Sequence, residues 1–443
     1  MNTIDHWPPY TPDAQSPWNL RRVIHLHRRA GFAGTWTELQ RDLRDGPAAA
    51  IDRLLEGRAS AHAPPEFADT AELLAETAVA AGDINRLRAA WFYRIVFGPD
   101  PLRERLTLLW HGHFATGFAK VRDVGAMRRQ NDVFRRLGRG PFADLLGAAV
   151  RDPALLVYLD APTNRRGHPN ENLARELMEL FTLGVGHFTE DDVKEAARAL
   201  TGWTVEEGRF AEVADRHDAA EKTILTRRGS WTGSDLVRIL LEQPAASRRL
   251  ATRLCALLFG ATVPEDALAA LAAGLREHRL DIVWGVGTIL RSRRFFAAEN
   301  LGNRFLGPVE FIAGAVRALE FFDPAPSTLA LADWSARLGQ NLFDPPNVGG
   351  WPGGRDWISP RTMILRTNFA VALAGGTGVG RTHAYDPGDL VRRLGAEGTT
   401  VADFHHRLLF GADLAPEWRR RLNGLPAGEV VAALLASPEA QLG

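Results

Sequence analysis

The sequence predicts a mainly helical protein, a single large multi-helix domain or two packed helical lobes, with a small β-hairpin flap. Three observations carry this expectation. Apolar residues recur at helical spacing in most segments, and capping residues or prolines open those segments. Only residues 203–228 depart from that pattern, with short, partly alternating runs. No internal repeat suggests a solenoid.

The elements follow in order. Residues 1–18 form a proline-rich leader, and Ser16-Pro17 supplies an N-cap with proline at the first helical position. The helix that follows runs through Leu20, Val23, Ile24 and His27, and Gly31 ends it. Thr35-Trp36-Thr37-Glu38 is a capping box for a second helix, and Pro47 starts a third. Residues 61–69 read as a linker, and a long helical run extends from Asp69 to about Phe97. Pro101 opens a helix with Leu102, Leu106 and Leu109 on its stripe. It leads into Trp110-His111-Gly112-His113-Phe114, where Gly112 weakens helix continuation.

Helices over 127–137 and 141–150 and a turn-rich loop over 160–169 deliver the chain to Asn170–Gly184. There Leu173, Ala174, Leu177, Met178, Leu180 and Phe181 fill an apolar face. Glu171, Asn172, Arg175, Glu176, Glu179 and Thr182 fall within one arc of about 140°. Thr189-Glu190-Asp191-Asp192 gives the next helix an acidic start. Glu207-Gly208 then turns a hairpin or three-stranded flap before helices resume at Ser234. A second dense stretch, Phe343–Ile358, holds too many prolines, glycines and tryptophans for regular structure. The main helical domain is expected over 19–372, with a C-terminal helical segment, 373–443, packed on it.

Composition narrows function. The chain has 443 residues, 45% hydrophobic and 24% charged, with ample material for a core. Its 53 basic and 53 acidic residues cancel, so the basic footprint of a nucleic-acid binder is missing. The only cysteine, Cys255, excludes an intramolecular disulfide and a four-cysteine zinc site, and lies in an apolar run as a small hydrophobe. No stretch approaches ~18 uninterrupted apolar residues, and the leader has no signal-peptide core. A cytoplasmic protein without a membrane span is expected.

Four constellations suit chemistry. His111 and His113 share a face if the chain turns at Gly112. Carboxylates from Glu176 and Glu179, an i, i+3 pair, would then complete a mixed nitrogen and oxygen site for a divalent metal ion. Glu171, Arg175 and Glu179 have ion-pair ladder spacing, and Arg175 is also placed to orient an anionic substrate group. His217 beside Asp218 suits acid–base work, although neighbours on a strand point to opposite faces. Trp351 and Trp357 could wall a flat substrate, with Asn347 as a polar contact on the same loop. Glu171, Arg175, His217 and Asp218 are therefore the catalytic candidates. His111, His113, Glu176 and Glu179 are the metal candidates. No phosphate loop, metallopeptidase histidine pair or nucleophile-elbow pentapeptide occurs.

Taken together, Arg28-Arg29-Ala30-Gly31-Phe32, Leu109–Thr116, the Asn170–Gly184 helix, Thr189–Trp203, the Phe343–Ile358 loop and Ser437-Pro438-Glu439 resemble a bacterial family. That family is catalogued only as domain of unknown function 1800, or DUF1800. The resemblance implies no activity. It implies a partner from a second uncharacterised family, domain of unknown function 1501, and export, because members often look exported. This chain differs in lacking an export signal, and in having Ala220 where the family usually has glycine at or near that position. Two functions stand against each other. One is a metal-dependent enzyme acting on a sugar- or peptide-like substrate in a cleft lined by His, Glu and Trp. The other is a non-catalytic helical binding or assembly protein whose tryptophan loop meets a protein partner.

Overall fold

A computed structural model describes residues 3–60, 62–260, 262–380, 384–396 and 398–443. Residues 1–2 of the expected leader, 61 of the linker, and 381–383 and 397 of the C-terminal segment lie outside them.

The protein is mainly helical, with two two-stranded antiparallel sheets among the described residues. Local signals set the helix boundaries. Thr35 and Glu38 form the capping box of Trp36–Leu55, and Thr189 and Asp192 that of Glu190–Ala199. The run expected from Asp69 to Phe97 is two helices, Phe67–Ala80 and Ile84–Phe97, packed on each other. Gly82 adopts φ +60, and the Asp83 side chain accepts from the Asn85 and Arg86 amides to start the second helix. A turn of chain too short to notice in a periodicity thus converts one long helix into an antiparallel pair.

The flap is two separate hairpins. Trp203–Glu206 pairs with Arg209–Glu212, and Lys222–Ile224 with Arg227–Gly229. The leader is tied down: the Trp7 indole donates to Ala267 O at 2.9 Å, and Tyr10 packs on Phe296.

Two apolar cores lie side by side. One gathers Leu145, Leu177, Phe181, Leu254 and Ile289; the other gathers Trp91, Val309, Phe369, Leu408 and Leu434. The C-terminal helices Val401–Phe410 and Val430-containing Ala427–Ala436 belong to the second core. Pro101–His113 serves both, with Leu102, Leu106 and Trp110 facing one core and Leu108 the other. That helix is the seam on which the candidate site is built. No helix among the described residues is long and apolar enough to cross a membrane.

Candidate functional site

The Asn170–Gly184 segment buries Leu173, Ala174, Leu177, Met178 and Phe181 as its spacing requires. It is not α-helical throughout. Asn172–Glu176 is an α-helix, and Leu177–Thr182 widens into a π-helix. Such widenings are rare and recur at functional sites. Here the carbonyls at the end of the widened turn have identifiable partners. His113 Nε2 lies 3.1 Å from Phe181 O, and Arg249 Nε donates to Leu180 O at 3.2 Å. Thr182, expected on the polar face, is rotated inward and donates to Leu177 O at 2.6 Å.

The same widening fixes the state of His113. A carbonyl only accepts, so Nε2 carries the proton. Burial and the Arg253 and Arg249 charges hold this histidine well below its ordinary pKa. His113 is therefore a neutral donor.

His111 goes the other way. Pro101–His113 stays helical through Gly112, so the two imidazoles diverge by the 200° of an i, i+2 pair and enter different cores. His111 is fully buried beside Trp91, Phe343 and Trp351, with ring centroids 5.3, 5.2 and 5.4 Å away. Burial lowers its pKa to about 3, and neither ring nitrogen has a hydrogen-bond partner among the described residues. The expected metal centre is thus not assembled. The turn on which it depended does not form, and no group of three His, Cys, Asp or Glu suited to a metal ion occurs among the described residues. The donor set does not fit a divalent ion.

What gathers instead is a line of charge along the π-helix. Glu176 and Glu179 are both partly buried. Burial first, then the Glu179 charge, raises the Glu176 carboxyl above the ordinary glutamate range. Tyr158, at the end of Pro153–Tyr158, is raised by burial and by the Asp344 and Glu176 charges. Gly117 lies between two of these groups: a Cβ there would come 3.2 Å from the Tyr158 ring and 3.4 Å from Asp344 Oδ1. Lys120 steadies this end, donating to Tyr158 O at 2.7 Å and pairing with Asp160 at 2.8 Å.

At the other end stand Arg249 and Arg253 of the helix Pro244–Leu258. Burial lowers the Arg249 pKa, and the Glu179 charge opposes that shift. Burial, then the Arg249 charge, lowers Arg253 to about 10, so both guanidiniums stay charged at neutral pH. The Nε of Arg253 is buried without a hydrogen-bond partner among the described residues. Two like charges one helical turn apart repel. Partial burial adds a further penalty.

The remaining candidates are occupied elsewhere. Arg175 pairs with Glu171 at 2.9 Å and with Glu190 at 2.7 Å, so the ladder runs to the next helix rather than to Glu179. His217 and Asp218 do not form a dyad. His217 Nδ1 donates to Thr201 O at 2.9 Å, and Asp218 pairs with Arg198 at 2.7 Å. Both contacts fasten the loop between the hairpins to the C-terminal end of Glu190–Ala199 and the turn after it. Lys222, almost wholly buried, donates to the Asp218 and Ala220 carbonyls.

Trp357 is buried, with Gly307 and Gly339 beside its ring, and offers no wall to a substrate. Asn347 is exposed and closes its own turn, accepting from the Gly349 amide at 2.8 Å. Trp351 is partly buried over Gly112, and its indole N–H has no partner among the described residues. Tyr158, Asp344, Arg249 and Arg253 are absent from the sequence-derived candidates. One signal was available for the arginines: a like-charge i, i+4 pair with no acid one turn away on the same helix.

Comparison with known proteins adds one finding. No curated protein and no solved structure matches the chain. A family model described as "Protein of unknown function (DUF1800)" matches residues 25–442, nearly the whole length, and the chain belongs to that family.

Proposed function

We propose that the line Asp344–Tyr158–Glu176–Glu179–Arg249–Arg253 is the substrate-binding and acid–base site of an enzyme acting on a sugar- or peptide-like molecule. The observation that supports this reading is the chain of charge interactions that runs from Glu176 to Glu179, from Glu179 to Arg249 and from Arg249 to Arg253, whose buried Nε has no partner among the described residues. A carboxyl whose pKa is raised holds its proton more readily than an ordinary glutamate, which suits it to general-acid work. Glu179 stays beside it as the second carboxylate. Arg249 and Arg253 present planar donors that match a substrate carboxylate. A substrate carrying its own carboxylate suits that end best, which favours the peptide-like class. No step requires a metal, because the residues present do not fit one.

The test is a turnover screen with peptide anilides and nitrophenyl glycosides on the wild type and on Glu176→Gln. Loss of a positioned acid–base group costs on the order of 10²–10⁴-fold in rate. A drop of that size at unchanged circular dichroism supports the assignment. Absence of turnover and of thermal stabilisation with both classes would sink it.

The competing assembly reading has its own support. Val185, beside the π-helix, is 79% exposed, and Ile364 and Val371 lie two turns apart on one face of Pro360–Gly375 at 62% and 58%. Under that reading these residues meet a protein partner, of which the domain of unknown function 1501 family supplies one candidate. Alanine at all three would then abolish pull-down of that partner, whereas Glu176→Gln would leave it intact.

A further inference from the structure

A pocket lies between Leu20–Ala30, Val401–Phe410 and the C-terminal segment, with a volume of about 250 Å³. Its walls are largely apolar, from Leu301, Phe410 and Leu442, and its polar side chains are Arg21, Arg28, His25, His406 and Glu439. Arg28 is clamped by the Leu442 and Leu409 carbonyls at 2.6 and 2.8 Å, and burial lowers its pKa to about 10, so it remains a cation at neutral pH. Arg21 is exposed on the same helix. His25 is 3% exposed; its Nε2 donates to Phe295 O at 3.1 Å, which leaves Nδ1 as a buried acceptor with no donor among the described residues. Glu439 also lines the pocket and is itself exposed.

Behind this pocket the charge balance is one-sided. Arg29, Arg105, Arg304 and Arg366 converge on a single acid, Glu310, which pairs with Arg105 and holds Arg304 at 2.6 Å. Among the described side chains four guanidiniums stand against one carboxylate, and Arg29, Arg105 and Arg366 donate to backbone carbonyls. A small void bordered by Arg28 and Glu310 lies between the two regions and shares Arg28 and Leu409 with the pocket's lining. Low-dielectric walls concentrate such a field in the cavity that opens from it. Carbonyl dipoles make an excess of buried cations tolerable, but they do not neutralise it.

We propose that this pocket binds a small carboxylate with an apolar body, independently of the π-helix site. The carboxylate would lie against Arg21 and Arg28, the aliphatic part against Leu301, Phe410 and Leu442. A hydroxyl or amino group on the ligand would donate to His25 Nδ1.

The probes are hexanoate, hexanamide and inorganic phosphate, followed by calorimetry and thermal shift at constant ionic strength. Hexanoate should bind saturably and hexanamide should not. Arg21→Glu, on an exposed position that folding does not use, should weaken hexanoate by about tenfold, the effect of replacing an attractive charge by a repulsive one of ~1.4 kcal/mol. Arg28→Lys should weaken it further while keeping the charge, because the two-carbonyl clamp is lost. Phosphate binding as tightly as hexanoate would overturn the apolar half of the assignment. No saturable binding of hexanoate, or equal binding in Arg21→Glu, would overturn the whole.

Discussion

His111 shows what one side chain can cost. Its two unpartnered nitrogens sit in a cage of Trp91, Phe343 and Trp351. A buried polar group left without a hydrogen bond costs about 1–3 kcal/mol, whereas an edge-to-face aromatic contact returns only about 0.5–1.5. An apolar ring of similar shape keeps the contacts and removes the penalty. His111→Phe should therefore raise the unfolding free energy by about 1 kcal/mol, read from the denaturant midpoint at unchanged slope. A loss of stability instead would mean that the imidazole has a polar partner in solution. Glu176 is the contrasting case: it stays accessible and raised, and Glu176→Gln is expected to act on turnover rather than on folding.

Elements are held by contacts that sequence spacing does not encode. The Phe343–Ile358 loop reaches Pro101–His113 through Gly350, which has φ +87, and whose Cβ would lie 2.2 Å from Gly112 O. Backbone cannot yield there as a flexible side chain would. Gly350→Ala should displace the loop, lift Trp351 off Gly112 and red-shift its fluorescence, with a loss of roughly 1–3 kcal/mol from the unfavourable φ and the clash. An unshifted spectrum and midpoint would refute the close approach. Helix starts, caps, the apolar faces and the existence of a hairpin region were legible from the chain, because each depends on residues within a few positions. The π-helix was not, since the groups that receive its carbonyls, His113 and Arg249, lie 68 and 69 positions away. The same distance problem hid Tyr158 and Asp344 and made His111 and His113 look like a pair. A carboxylate-rich helix face was readable as a site; which groups stood opposite it was not.

At the scale of the molecule, the buried histidines set the acid response. His111 and His405 are lowered to about 3 and about 4, and His25 and His113 are also held well below the ordinary value, all chiefly by burial. A histidine with a folded pKa below its unfolded value binds fewer protons in the native state. Its contribution is present above the unfolded pKa of about 6.5 and is lost as pH falls below it, down to the folded pKa. Asp152 opposes this: burial raises it to about 6, so the native state takes up a proton there that the unfolded chain does not until near pH 4. Glu176 and Glu320, also raised chiefly by burial, act in the same sense as Asp152; the four histidines outnumber these three acids, and each uncompensated proton steepens the loss by about 1.4 kcal/mol per pH unit. Stability should therefore begin to fall just below pH 6.5, two units before ordinary carboxylates titrate. Denaturant midpoints measured from pH 8 to 4 check this. The decline should become shallower in His405→Phe, the variant that removes one of the four without touching the π-helix. A flat profile down to pH 5 would show that these rings are neither so dry nor so confined in solution, and the divergent placement of His111 and His113 in two sealed cores would have to be given up with it.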